Sequence, residues 1–113
     1  MKWKELTTIG QLDRIDELSN AHPVLIFKHS TRCPISKAAL NRLERAWTAE
    51  DAERHRVYYL DLLAHRDISD AVATRYGIEH ESPQVLVIRN GSCAQHHSHM
   101  AISYAETMEA MKG

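Results

Sequence analysis

Four apolar residues in succession, Val24–Leu25–Ile26–Phe27, constrain this chain more than any other stretch. A strand with one face in water alternates apolar and polar residues, whereas an unbroken run rich in β-formers is a strand covered on both faces. Covering both faces takes helices on two sides of a sheet, which is an α/β arrangement. The run continues through Lys28 and His29 into the turn Ser30–Thr31–Arg32–Cys33, and Pro34 follows. Proline there suits the first turn of a helix, where its missing N–H is no loss. The stretch therefore reads as strand, turn and helix, with a cysteine at the joint.

The flanking segments agree with this. Leu12, Ile15 and Leu18 make a helical stripe among Asp13, Arg14, Asp16 and Glu17, ended by Asn20 and Pro23. Beyond Pro34, Leu40, Leu43 and Trp47 predict a helix to about residue 49. Residues 56–62 predict a second strand. Residues 67–77 predict a helix capped by Asp67, striped by Ile68, Val72 and Tyr76, and stopped at Gly77. Residues 84–99 predict a hairpin turning at Asn90–Gly91, with its last strand over 92–98. Residues 103–112 predict a final helix capped by Ser103, with Glu106 three residues on. The order α-β-α-β-α-β-β-α implies one α/β domain over residues 1–113, a central four-stranded mixed sheet flanked by helices. Ligand sites in such sheets lie beyond the carboxyl ends of the parallel strands, where Cys33 falls.

The balance of charge narrows the partners. With a net charge of −1 and 26% charged residues, the chain offers no concentrated basic face, so no nucleic-acid partner is expected. No apolar run approaches the roughly 18 residues of a membrane span, so no membrane partner is expected. The opening MKWKELTTIGQLDRIDEL is too polar and acidic for a signal peptide, and a cytoplasmic monomer is expected. Two cysteines make no disulfide framework. No metal site is expected, because His96, His97 and His99 alternate across a strand.

Cys33 then has two readings: a working thiol, or a buried bystander acting as a small hydrophobe. A helix N-terminus favours thiolate through its dipole and free N–H groups, and Lys28, Arg32 and Lys37 are expected to add positive potential. The polar turn before Cys33 favours the working thiol. Three residues on, where a dithiol enzyme carries its second cysteine, stands Ser36. Ser82–Pro83 precedes the strand QVLVI, where thioredoxin-like proteins with this element order place a cis-proline beside the thiol.

Three stretches, FKHSTRCPIS, HESPQVLVIRNG and HHSHMAIS, resemble the monothiol bacilliredoxins, and the resemblance covers nearly the whole chain. It implies a thioredoxin-like fold and a thiol–disulfide oxidoreductase that removes bacillithiol from S-bacillithiolated client proteins, with bacillithiol as co-substrate and no bound cofactor. By position, Cys33 is the attacking thiol, Ser36 marks the absent resolving thiol and Pro83 is the cis-proline. Thr31, Arg32 and Pro34 complete the loop. Arg32, Ser82, Ser98 and His99 are expected bacillithiol contacts, the last two because the final strand returns to the Pro83 end. Cys93 is the tempting resolving thiol. The intervening strand spans roughly 16 Å, beyond the ~7 Å Cα limit of a bridge, so Cys93 is expected to pack in the hairpin. Trp47 and residues 57–59 are expected in the core, Asp61 as a surface charge, and Glu81 at the rim with no assigned role. Two other functions fit the same motif: a monothiol, glutaredoxin-like iron–sulfur carrier, and a non-catalytic docking module whose thiol is idle.

Overall fold

A computed structural model of the chain describes residues 1–112. Its elements are β1 (Lys4–Glu5), α1 (Gln11–Ser19), β2 (Val24–His29), α2 (Pro34–Ala46), α3 (Ala49–Arg54), β3 (Arg56–Asp61), α4 (Arg66–Tyr76), β4 (Gln84–Arg89), β5 (Ser92–Ser98) and α5 (Tyr104–Met111), with a 3-10 turn at His99–Ala101. The strands form one sheet in the order β1-β3-β2-β4-β5. β1 and β2 run parallel to β3, while β4 is antiparallel to both β2 and β5.

β2 lies at the centre, and all six of its residues are buried. Its alternation sends Val24 and Ile26 into one core with Leu12 and Ile15 of α1 and Ile68 and Val72 of α4. Leu25 and Phe27 enter the other, with Ala39 and Leu43 of α2 and Met111 of α5. The same alternation carries the strand's last two residues to opposite faces. Lys28 goes to the α1/α4 side and His29 to the α2/α5 side.

The sheet has five strands where the sequence predicts four. The extra one, β1, is two exposed polar residues, Lys4 and Glu5, paired with Tyr58 and Tyr59. Two polar residues carry no alternation to detect, and the strand exists because β3 offers it an edge. The long helix after Pro34 also ends earlier than expected, at Ala46. Trp47 turns extended and buries its ring against His55 and Tyr104. Thr48 then starts α3 with a reciprocal cap: its hydroxyl accepts from the Asp51 N–H, and Asp51 accepts from the Thr48 N–H.

Asp67 is not the cap of α4. The helix starts two residues sooner, with His65 at the N-cap position and Asp67 inside the first turn. Nor is Asp61 only a surface charge. Its carboxylate accepts from the N–H groups of Leu63 and Ala64, shaping the turn after β3. Gly77 stops α4 at φ 65°, and Asn90 and Gly91 turn the hairpin at φ 51° and 72°, the left-handed pair that a two-residue turn requires. The Ser103 hydroxyl accepts from the Glu106 N–H at the start of α5.

Candidate active site

Cys33 stands at the N-cap position of α2 in an extended conformation (φ −101°, ψ 117°), with no capping hydrogen bond from its side chain, and Pro34 is the first helical residue. The turn between β2 and α2 is closed by Cys33 N–H donating to the Ser30 carbonyl at 3.1 Å, and the helix starts with Lys37 N–H donating to the Cys33 carbonyl at 3.0 Å. The thiol is half-buried, while Thr31, Arg32 and Pro34 around it are exposed.

Ser36 is fully buried. Its hydroxyl accepts from the Ser30 N–H at 3.1 Å and lies 2.7 Å from Nδ1 of His29, with one proton shared between hydroxyl and ring. Position 36 therefore holds a bolt: it fixes the turn before Cys33 to the end of β2. Burial pushes the His29 imidazole below its ordinary range, an effect offset in part by Asp61. A neutral ring is the form that can share a single proton with a buried hydroxyl.

Register brings the second half of the site to the same end of the sheet. Gln84, the first residue of β4, pairs with Lys28 near the end of β2, and Ser98, the last of β5, pairs with Gln84. Pro83 thus enters β4 beside the turn that carries Cys33. The Ser82–Pro83 peptide bond is cis. The Pro83 carbonyl accepts from the His99 N–H at 3.0 Å, and His99 sits exposed at φ 53°. Ser98 Oγ donates to Glu81 Oε2 at 2.5 Å, closing the rim. The Ser82 hydroxyl is buried and has no partner among the described residues.

Cys33, Pro83, Ser82, Ser98 and His99 therefore share one end of the sheet, as their pattern implied. Lys28 does not belong with them. It is 0% exposed on the opposite face, where Nζ donates to the Ser69 carbonyl and approaches Nδ1 of His80, each at 3.3 Å. The alternation from Val24 already carried that signal. Arg42 had none. From α2 its guanidinium donates to the carbonyls of Ile102 (3.2 Å) and His99 (3.4 Å), tying the helix of Cys33 to the corner after β5. Glu81, unassigned from the sequence, is the partner of Ser98.

Cys93 lies at the other end of the hairpin. It sits near a bulge between Val87 and Ile88, half-buried against the α1/α4 core, and its thiol donates to the Gln95 carbonyl at 3.4 Å. Burial pushes that thiol up. Among the described residues no three His, Cys, Asp or Glu side chains converge as a metal site, and no helix is long and apolar enough to cross a membrane.

Comparison with solved structures places this geometry. A protein described as a candidate oxidoreductase with a thioredoxin fold superposes with a TM-score of 0.81 at 29% identity, over 96% of this chain and 92% of that one. Thioredoxin from Malassezia sympodialis superposes at 0.73 with 14% identity, over 97% and 88% of the two chains. Thioredoxin from Fasciola hepatica superposes at 0.68 with 14% identity, over 96% and 95%. The fold is the thioredoxin fold, and the half-buried cysteine at the head of α2 is set as in a thiol redox protein. A family profile described as monothiol bacilliredoxin BrxC matches residues 4–107. With its thiol at the N-cap of α2 and a buried serine one turn on, this chain belongs to the monothiol bacilliredoxin family.

Proposed function

We propose that this chain removes bacillithiol from S-bacillithiolated proteins by thiol–disulfide exchange at Cys33. The observation that carries the reading is the pairing of a half-buried N-cap thiol with a buried, hydrogen-bonded Ser36 where a second thiol would stand. The Cys33 thiolate attacks the bacillithiol sulfur of the mixed disulfide. The old S–S bond breaks, the client leaves as a thiolate that takes a proton from water, and Cys33 becomes S-bacillithiolated. The Ser36 hydroxyl cannot expel that cap. A second bacillithiol thiolate does so, leaving bacillithiol disulfide and the free Cys33 thiolate.

The malate moiety of bacillithiol carries two carboxylates. Arg32 and His99 are exposed at the rim and are the groups we assign to that anion. The Ser98 hydroxyl already donates its hydrogen bond to Glu81, which makes it a weaker candidate than its position in sequence suggested. Intact mass after incubation with bacillithiol disulfide tests the reading. A gain of one bacillithiol, mapped to Cys33, is expected. No adduct, or an adduct only on Cys93, overturns it.

A further inference from the structure

The loop from Gly77 delivers Pro83 to the site, yet of the loop residues before Pro83 only Ile78 packs against the core among the described residues. Polar groups hold the rest. Gln84 Nε2 donates to the Glu79 carbonyl at 3.1 Å, Ser98 donates to Glu81, and His99 N–H donates to the Pro83 carbonyl. The anchor on His80 is the unusual one. It is Lys28, a fully buried lysine that takes part in no ion pair among the described residues.

A lysine in that position is costly, because an ammonium loses its water and gains no carboxylate at ion-pair distance in exchange, Asp70 acting on it only from farther off. A leucine or methionine would complete the row begun by Val24 and Ile26. The ammonium instead spans three parts of the fold. Its stem lies in β2, it donates to the Ser69 carbonyl of α4, and it reaches Nδ1 of His80. That contact leaves Nδ1 as acceptor and the ring proton on Nε2, and the Ser69 hydroxyl approaches the same Nδ1 at 3.3 Å. Across the strand pair, Gln84 on the same face keeps a buried Oε1 with no partner.

We infer that Lys28 is a positioning residue for disulfide exchange: through His80 it fixes the loop that presents Pro83 and Glu81 beside Cys33. The inference rests on the thiol-exchange reading of Cys33 and not on the identity of the thiol removed. Attack requires three sulfurs close to a line, and Cys33 supplies only one of them. The loop across from it sets where the other two lie.

Burial brings the Lys28 ammonium down to about 8, with Asp70 opposing. Around His80, burial, Lys28 and Arg66 favour the neutral ring, while Asp70 and Glu81 favour the cation. The anchor therefore loses its charge as pH rises through about 8.

The experiment uses the full chain carrying Cys93→Ser, so that one thiol reports. Two rates are measured: release of thionitrobenzoate from a peptide–thionitrobenzoate mixed disulfide, and alkylation by iodoacetamide. Alkylation needs the thiolate alone, whereas exchange also needs the aligned disulfide. Lys28→Met is expected to slow exchange about tenfold, less than the roughly hundredfold that a 1 Å misplacement of reacting groups can cost, and to leave alkylation near the parent rate. The ratio of the two rates should fall in the parent as pH rises through about 8 and stay low and flat in Lys28→Met. His80→Ala removes the same anchor from its exposed end and should lower the ratio in the same direction, which keeps the test open should Lys28→Met not fold. Parent-like exchange in both variants overturns the inference, as does equal slowing of exchange and alkylation. A parent chain that is alkylated yet never exchanges overturns the thiol-exchange reading itself.

Discussion

Lys28 and His29 are neighbours in β2, both buried, and they anchor opposite halves of the same site. His29 reaches Ser36 at 2.7 Å, and Ser36 in turn holds the Ser30 N–H, so the turn carrying Cys33 is bolted by neutral groups at short range. Lys28 reaches His80 and Ser69 at 3.3 Å with a cationic group, and the neighbouring Gln84 Oε1 stays unpaired. One anchor is tight and uncharged, the other loose and charged. A buried neutral pair with its partners in place contributes stability, whereas a buried charge without a counterion subtracts it. The two halves of the site should therefore respond in opposite directions when their anchors are removed.

The largest effect expected is one to which both anchors are subordinate. Cys33→Ser should abolish removal of bacillithiol from a capped client, because it deletes the attacking sulfur. Residual turnover in a client assay would move the chemistry to Cys93 and make the comparison of anchors irrelevant to function.

Ser36→Ala tests the tight anchor. It leaves His29 Nδ1 and the Ser30 N–H without their partner. Unfolding in urea should show a loss of about 1–3 kcal/mol, the cost of stranding buried polar groups. An unchanged midpoint would mean that the hydroxyl is not the bolt described above.

Lys28→Met tests the loose anchor and should have the opposite sign at neutral pH, a gain on the order of 1–3 kcal/mol. The pH dependence follows from linkage. The folded chain releases the Lys28 proton near 8, whereas the unfolded chain keeps it to its ordinary 10.5. Between those values the unfolded state binds more protons, so parent stability rises with pH. The cost of Lys28 is therefore full below about 8 and fades toward 10.5. Denaturation across this range should show the advantage of Lys28→Met shrinking as pH rises. A constant advantage, or a loss at neutral pH, would break the contrast with Ser36→Ala.

The comparison also sorts the cations. Arg32 and His99 are exposed and Lys28 is not, so in the proposed reaction Arg32 and His99 are the groups open to the anion of bacillithiol. Arg32→Ala and His99→Ala should each slow turnover of bacillithiol mixed disulfides more than that of a small neutral disulfide, by roughly 0.5–2 kcal/mol. Equal slowing on both substrates would make these residues tuners of the thiol. The smallest effect belongs to Cys93→Ser, which should leave turnover near parent, since that thiol lies at the far end of β4 and β5.

Much of this was legible from the residues. The unbroken run at Val24 announced a central strand, Asn90–Gly91 the hairpin, and the returning strand the meeting of Ser98 with the Pro83 end. Two differences share one cause: a residue's type shows in the sequence and the direction of its side chain does not. Lys28 lies close to Arg32 and Lys37 along the chain, yet strand alternation turns it to the other face. Asp61 looked like a solvated charge, and its carboxylate instead closes the next turn. β1 was invisible because strand pairing is supplied by a neighbour, and two polar residues carry no pattern of their own.

Local chemistry written in the sequence determined the strand–turn–helix unit, the N-terminal place of Cys33 and the absence of a second thiol at position 36. These follow from periodicity, proline geometry and residue identity, which act within a few residues of one another. Tertiary structure alone decided that Ser36 is a bolt for His29, that Lys28 serves the loop behind Pro83, that Arg42 holds the corner at His99, and that Glu81 takes the Ser98 hydroxyl. Each of these joins residues far apart in the chain or on different faces, and a hydrogen bond depends on where the folded chain delivers both ends.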